Sequence, residues 1–415
     1  MAAPATTATS GRIVFTYPGF RNYETARFLI VMALEMQSVA VGWQVYEITH
    51  RALALGITGL VQFLPGVLLF LVSGHAADRR NRRNLLTACY IGFAFCSLLL
   101  LFITTRGIQH VHPIYLVLVL LGVVRSFSGP VTRAILPQLV PVEVFPSAFA
   151  WHASVFRAAT ILGPAVGGLV YAAFRGPGAV YATAVAAATT ATIATLRVQM
   201  TRAVPGREPI SWRTVLAGIH YIWREKVILG SISLDLVAVL LGGAVALLPI
   251  YAREILHTGP WGLGILRSAP GVGAGLMAIL LAYRPLRRRA GLAMLWCVAG
   301  FGAATVIFGI SRSLVISILS LALVGATDMV SVVIRGTLVQ VNTPDEMRGR
   351  VNAVDMVFIG ASNELGEFES GLTAQWFGAV PAVIIGGIGA IAATALWAWW
   401  FPALRRADKL VPAPD

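Results

Sequence analysis

The sequence predicts an all-α polytopic membrane protein: twelve transmembrane helices in two pseudo-symmetric six-helix bundles. Three observations carry that expectation. Of 415 residues, 57 % are hydrophobic and 12 % charged, about half the charge of a soluble globule, and the mean hydropathy is +0.77. Apolar stretches near the roughly 20 residues needed to cross a bilayer recur along the chain. Basic residues collect in every second gap between those stretches. So few charges cannot cover a water-facing surface, and disordered chains are polar rather than apolar.

The spans are expected at 25–48, 54–77, 84–104, 113–135, 148–173, 178–196, 227–252, 262–282, 291–310, 313–335, 350–376 and 380–401. Helices are required because lipid offers no partner to open backbone groups, and the stretches lack the alternation of a barrel. Most connections are short. Residues 197–226 are the exception, with Pro205, Gly206, Pro209 and most of the central charge. They divide the chain into an N-terminal bundle, 1–196, a cytoplasmic linker, 197–226, and a C-terminal bundle, 227–415. A short interfacial helix is expected over 211–224. The halves repeat weakly at one constant offset: Gly122 matches Gly325, Pro141 matches Pro344, Glu143 matches Glu346, Ala150 matches Ala353, Gly163 matches Gly366, and Gly168 matches Gly371. Paired six-helix halves of this kind are a transporter architecture.

The formal net charge is +14, and every basic residue except Lys226 and Lys409 is Arg. Clusters stand at Arg79, Arg80, Arg82 and Arg83, through the 197–226 linker, at Arg284, Arg287, Arg288 and Arg289, and at Arg405, Arg406 and Lys409. Arg51, Arg106, Arg175, Arg253 and Arg312 stand singly in the alternate gaps. This asymmetry places both termini in the cytoplasm. A bacterial inner-membrane protein follows, with no nucleic-acid partner, since the charge lies between apolar spans and not on one face. The basic flanks also suit anionic lipid. The polar first 27 residues do not read as a cleavable signal. Cys89, Cys96 and Cys297 read as small buried apolar residues, so neither a disulfide framework nor a zinc site is expected.

After span two the chain reads Gly74-His-Ala-Ala-Asp78-Arg79-Arg80-Asn81-Arg82-Arg83. This resembles the cytoplasmic signature of the major facilitator superfamily, Gly-x-x-x-Asp-Arg-x-Gly-Arg-Arg. Asn81 replaces the second Gly, and Asn is the residue that next best tolerates left-handed backbone. The resemblance implies a cytoplasmic gate of Gly74, Asp78, Arg79, Arg82 and Arg83, with Asp78 facing the start of span eleven, where a helix N-terminus stabilises a carboxylate. Span four carries Arg125-Ser-Phe-Ser-Gly129, similar to the family's intramembrane Arg motif. Span five carries Gly163-Pro164-Ala-Val-Gly167-Gly168, similar to its exporter motif. Residues 40–90 and 340–352 resemble the enterobactin exporter group, also described as transmembrane secretion effectors. That resemblance implies proton-driven export of siderophores or other amphipathic compounds and drugs.

Charges inside spans are costly and belong to interiors, cavities or pairs. Glu35 in span one and Asp235 in span seven are the first and second candidates for proton coupling, followed by Asp328 in span ten and Asp355 in span eleven. A carboxyl removed from water exchanges its proton nearer neutrality than an exposed one. Glu364 and Glu367 share one face of span eleven. Arg157, Arg267 and Arg125 are the intramembrane cations, and the repeat offset relates Arg125 to Asp328, which invites a pairing of the two, although symmetry-related residues need not touch. No phosphate-binding loop or hydrolase motif occurs, so the chain reads as no enzyme and needs no cofactor or metal. The function expected is alternating access for a small-molecule cargo by a monomer. An importer in the same fold, and a non-transporting sensor or assembly protein, are the rival readings.

Overall fold

The computed structural model describes residues 13–200, 212–285 and 289–407, except the side chains of Leu71, Asp78 and 212–215. Among these residues the chain is helical and has no strand. A 3-10 turn, Ile13–Thr16, leads into α1, Pro18–Thr49. Then follow α2, Ala52–Leu68; α3, Phe70–Arg79; α4, Arg82–Thr105; α5, His112–Ile135; α6, Phe145–Ala173; and α7, Gly178–Leu196. The short α8, Trp212–Arg224, occupies the place expected for the interfacial helix. The second half comprises α9, Lys226–Leu241; α10, Leu248–Ile250; α11, Gly259–Tyr283; α12, Ala290–Ile310; α13, Leu314–Val341; α14, Asp345–Phe377; α15, Ala379–Trp400; and α16, Pro402–Arg405.

Ten helical segments among the described residues are long and apolar enough to cross a membrane. The two other expected spans depart from that standard for different reasons. Span two is broken at Leu69 into α2 and α3, and α2 with its 17 residues falls short of the roughly 20 needed to cross a bilayer. Span eleven is one continuous 33-residue helix, α14, but it carries Asp345, Glu346, Arg348, Arg350, Asp355, Glu364, Glu367 and Glu369. Span seven is also interrupted. After α9 the chain opens at Gly242 and Gly243, passes through a 3-10 turn and α10, and ends in a π-helical turn, Tyr251–Ile255.

In lipid, helix association rests on close packing and polar contacts, and small residues at crossings let backbones approach. The repeated glycines lie at equivalent crossings. Gly122 on α5 abuts the backbone of α2 at Gln62, and Gly325 on α13 abuts α11 at Pro270. Gly163 on α6 abuts α1 at Met32 and Glu35, and Gly366 on α14 abuts α9 at Val239 and Leu240. Gly168 on α6 meets α11, and Gly371 on α14 meets α2. The weak sequence repeat is therefore a repeat of helix contacts.

The Arg-rich segments gather at one end. There Asn22 bonds the Arg197 carbonyl at 3.2 Å, Arg82 bonds the Ala134 carbonyl at 2.9 Å, and Tyr221 bonds the Asn342 carbonyl at 2.7 Å. The largest apolar cluster runs along the first half from Phe20 and Leu139 near the Arg-rich end, and it reaches into the second half at the sparsely charged end, where Trp43, Val45 and Tyr171 join Leu248, Tyr251, Leu263 and Phe308. Two further clusters belong to the second half alone. One joins α9, α12, α13 and α15. The other joins α8, α9, α13 and α14.

Candidate functional site

A cavity of about 140 Å³ lies between the halves, lined from α1, α2, α5, α11, α14 and the turn before α10. Glu35, Gln37 and Ser38 face it from α1, Thr58 and Gln62 from α2, and Arg125 from α5. Arg267 enters from α11, and Glu364 and Glu367 from α14. The structure thus brings five of the intramembrane charges singled out in the sequence to one wall-to-wall site. Each reaches it by helix geometry. Glu364 and Glu367 are three residues apart and share a face. Gly59 of α2 leaves the space their carboxylates occupy, since a methyl group there would stand 2.8 Å from Glu367 Oε2 and 3.3 Å from Glu364 Oε2.

Arg125 donates from Nη1 to Gln62 Oε1 at 3.3 Å. Arg267 and Arg125 stand near enough to attract Glu35, Glu364 and Glu367. Among the described residues no direct ion pair joins these carboxylates to either guanidinium, so the charges face the cavity and each other across it. Three carboxylates oppose two guanidiniums. With all five ionised the site holds one surplus negative charge.

The sparsely charged end is closed by contacts between the halves. On α6, Gly163 and Gly167 pack on α1, while Gly168 packs on Gly264 of α11. The Gly-Pro-x-x-Gly-Gly segment therefore works on two faces, one toward its own bundle and one across to the other. Gly56 of α2 and Gly371 of α14 form the corresponding contact. Beyond these crossings Tyr46 donates to Glu254, Tyr171 Oη donates to Glu47 at 3.2 Å, and Arg253 stands 3.9 Å from Glu47 and over the Trp43 ring. The π-helical turn supplies Arg253 and Glu254. Such turns recur at functional positions. At the Arg-rich end a methyl group on Gly74, Gly336 or Gly349 would meet nothing within 4 Å, while Gly19, Gly218 and Gly291 abut the backbone of Gln199, Arg350 and Leu404.

Three further intramembrane carboxylates, Asp235, Asp328 and Asp355, form a separate cluster inside the second half. Arg335 Nη1 of α13 stands 2.9 Å from Asp235 Oδ2 of α9 and 3.2 Å from Asp355 Oδ1 of α14. Ser331 Oγ donates to Asp235 Oδ1 at 3.2 Å. Asp328 shares a small pocket with Asp235, Thr327 and Ser331, and Arg157 of α6 lies close enough to attract it. The suggested Arg125–Asp328 contact is not formed. Arg125 turns to Gln62 in the cavity, while Asp328 turns into its own bundle. Asp235 and Asp355 are held by Arg335, a residue the sequence reading passed over. Its signal was position: Asp328 and Arg335 lie seven apart, hence on one helical face.

In the Asp78 loop, Gly74 and Arg79 lie on α3, and Arg82 and Arg83 begin α4. The Asp78 side chain lies outside the described residues, as do Arg287, Arg288 and Lys409. Asn81 does not hold a left-handed turn. Its φ is −60°, and its side chain accepts from the Arg83 and Asn84 backbone N–H groups, at 3.0 and 3.3 Å, as the N-cap of α4. A polar acceptor at the helix start, and not backbone tolerance, accounts for Asn here.

Comparison with known proteins places these features. Residues 14–412 match the family model of the transmembrane secretion effectors. The enterobactin exporter EntS of Shigella boydii serotype 18 (strain CDC 3083-94 / BS512) is 27 % identical over 389 residues, covering 91 % of this chain and 86 % of the relative. Among solved structures, the nucleoside transporter NupG superposes with a TM-score of 0.69 at 14 % identity, covering 93 % of this chain and 98 % of NupG. A bacterial homologue of the iron transporter ferroportin, in an inward-facing state, gives 0.69 at 14 % identity, covering 92 % and 98 %. These structures share the fold. Relatives and fold alike are those of membrane transporters and not of enzymes.

Proposed function

We propose that this chain, which belongs to the transmembrane secretion effector family of major facilitator transporters, exports an amphipathic small molecule in exchange for protons. The observation that carries the reading is the mixed-charge cavity between the halves, reached by Arg125 and Arg267 together with Glu35, Glu364 and Glu367. One proton cancels the surplus negative charge of that set. A proton drives a cycle only where its affinity differs between conformations. A carboxylate lining a cavity that opens alternately to two sides meets that condition. Glu35 is the leading coupling group, because from α1 of the first half it faces the cavity whose opposite wall carries Arg267, Glu364 and Glu367 of the second half, and that spacing changes when the halves rock.

By the positive-inside argument, the Arg-rich end is cytoplasmic, both termini lie there, and the membrane is a bacterial inner membrane. The described conformation is then the one sealed at its outer end. The two bundles are 1–196 and 227–415, with 197–226 as the cytoplasmic linker. Asp78, with Arg79, Arg82 and Arg83, acts when the seal moves to the cytoplasmic end. The 27 %-identical relative is an exporter of enterobactin, which supports siderophores of the catecholate class as cargo. Arg125 and Arg267 supply the cations that such an acidic cargo needs.

The test uses inverted membrane vesicles energised to an acid interior. Catecholate siderophores, macrolides and cationic dyes are added in turn while the gradient is followed. Cargo-dependent proton release that disappears in Glu35→Gln is expected. Cargo accumulation with no proton movement would overturn the coupling, and accumulation in the opposite direction would overturn export.

A further inference from the structure

A buried charge group outside the cavity carries a further assignment. Near the Arg-rich end, His152 Nδ1 of α6 lies 2.7 Å from Glu24 Oε1 of α1. Glu24 is 3 % exposed, and its second oxygen, Oε2, is buried without a hydrogen-bond partner among the described residues, with Arg27 3.8 Å away. Arg27 Nη1 donates to the His152 carbonyl at 2.6 Å and lies 3.1 Å from the ring nitrogen. A ring nitrogen has one in-plane position, for a proton or for a lone pair. Two lone pairs facing each other at 2.7 Å would repel, so the contact between Nδ1 and Oε1 holds a proton between imidazole and carboxylate.

The position of this pair links it to Glu35. Glu24 and Glu35 are eleven residues apart on α1, which is three turns plus about 20°, or about 16 Å along one face. Their neighbours on α6 keep the same interval: His152 faces Glu24, and Gly163 faces Glu35. Both carboxylates therefore lie on one seam between α1 and α6.

We propose that Glu24 and His152 form a second proton-binding site on this seam, nearer the Arg-rich end than Glu35. The assignment rests on the proton-coupled reading above for its role, but not for its existence. The pair holds one proton between Oε1 and Nδ1. A second proton, taken at the free ring nitrogen, turns the ring into an imidazolium paired with the carboxylate. Imidazole is the side chain whose ordinary titration falls at physiological pH. The surrounding charged and titratable groups are few. Arg27 and Tyr23 come from α1, with Tyr23 stacked on the His152 ring and bonded to the Thr132 carbonyl of α5. Tyr90, beside Cys89, comes from α4 and lies near enough to interact with Glu24. On α7 the one such group is Tyr181, bonded to Gln44 at the far end.

The experiment is nitrogen NMR of the full chain in lipid nanodiscs with its seven histidines labelled, using bulk protons as the probe. His152→Gln identifies the His152 signals by their loss. In the unsubstituted protein one ring nitrogen should show the shift of a hydrogen-bonded N–H. Glu24→Gln should remove that hydrogen-bonded N–H signature from the His152 signals. Should Glu24→Gln fail to fold, Glu24→Asp draws the carboxylate away from the ring and should act in the same direction. Identical His152 ring-nitrogen signals with and without the Glu24 carboxylate would overturn the proposal. Glu35→Gln separates the two readings. Full coupled transport in that variant would remove Glu35 from the mechanism while a Glu24-dependent His152 kept this site. A His152 blind to Glu24 beside lost coupling in Glu35→Gln would do the reverse.

Discussion

Gly168→Ala should unseal the sparsely charged end, and its size follows from the α6–α11 crossing. The added Cβ would stand 2.5 Å from the Pro260 carbonyl oxygen and 3.0 Å from Gly264 Cα. Ordinary contact between such atoms is about 3.5–4.0 Å, so the helices must part by about 1 Å. Overpacking of this kind costs about 1–3 kcal/mol. Alanine also favours the helix by about 1 kcal/mol over glycine, but α6 stays helical in both conformations, so that gain cancels. Only the conformation sealed at this end bears the clash. Its population should fall about 5- to 150-fold relative to the alternative, at about 1.4 kcal/mol per factor of ten. A cysteine at Ala246, which lines the cavity, in a background lacking Cys89, Cys96 and Cys297, reports the change through a membrane-impermeant maleimide applied from the sparse side. Gly122→Ala is the control, because its clash with the Gln62 backbone lies within one bundle. That variant should lose stability and leave labelling unchanged. Equal labelling rates in Gly168→Ala and the parent would refute the idea that this crossing is the seal.

Other outcomes follow from the same contacts. Arg335→Ala leaves Asp235 and Asp355 buried without their cation, which should cost about 3–5 kcal/mol and appear as a lowered thermal midpoint in detergent; adding Asp235→Asn and Asp355→Asn should restore most of it. Arg253→Gln should change the maleimide labelling above by no more than about fivefold, because Glu47 and Arg253 side chains are 51 % and 33 % exposed and such pairs contribute about 0–1 kcal/mol. Asn81→Ala should lower stability by about 1 kcal/mol through loss of the α4 cap, visible in the same melting assay. Gln62→Leu removes the Arg125 partner in the cavity and should weaken binding of an acidic cargo, measured by calorimetry, more than that of a neutral one.

Much of this architecture is legible in the sequence, because lipid leaves the backbone few choices. Hydropathy and Arg placement locate the helical spans, though α1 begins seven residues before its expected start, α13 ends six residues after its expected end, and the breaks in spans two and seven are not foreseen. The repeated glycines mark crossings, since only a glycine admits another backbone so closely. The cavity charges are legible for the same reason: Glu35, Arg125, Arg267, Glu364 and Glu367 are costly unless they face one another. The rest needs three dimensions. Glu24 sits on the first turns of α1, at the edge of the apolar stretch, where it reads as a flank. Its burial comes from α6, 128 residues away. Arg335 is hidden by standing among apolar residues in a span already credited with Asp328. The seal by Arg253 and Glu254 depends on a π-helical turn, and hydropathy does not show how a helix ends. Asn81 was read through backbone tolerance, when its side chain does the work.

The central claim is that cavity carboxylates exchange protons against cargo. The direct measurement is proton flux in liposomes holding the purified chain and an internal pH dye, with cargo from the responsive class of the vesicle panel presented against an imposed gradient. The account predicts cargo-coupled proton flux in the parent, and in Glu35→Gln cargo exchange that persists while gradient-driven transport and proton flux vanish. Gradient-driven flux retained in Glu35→Gln, Glu364→Gln and Glu367→Gln alike would contradict it.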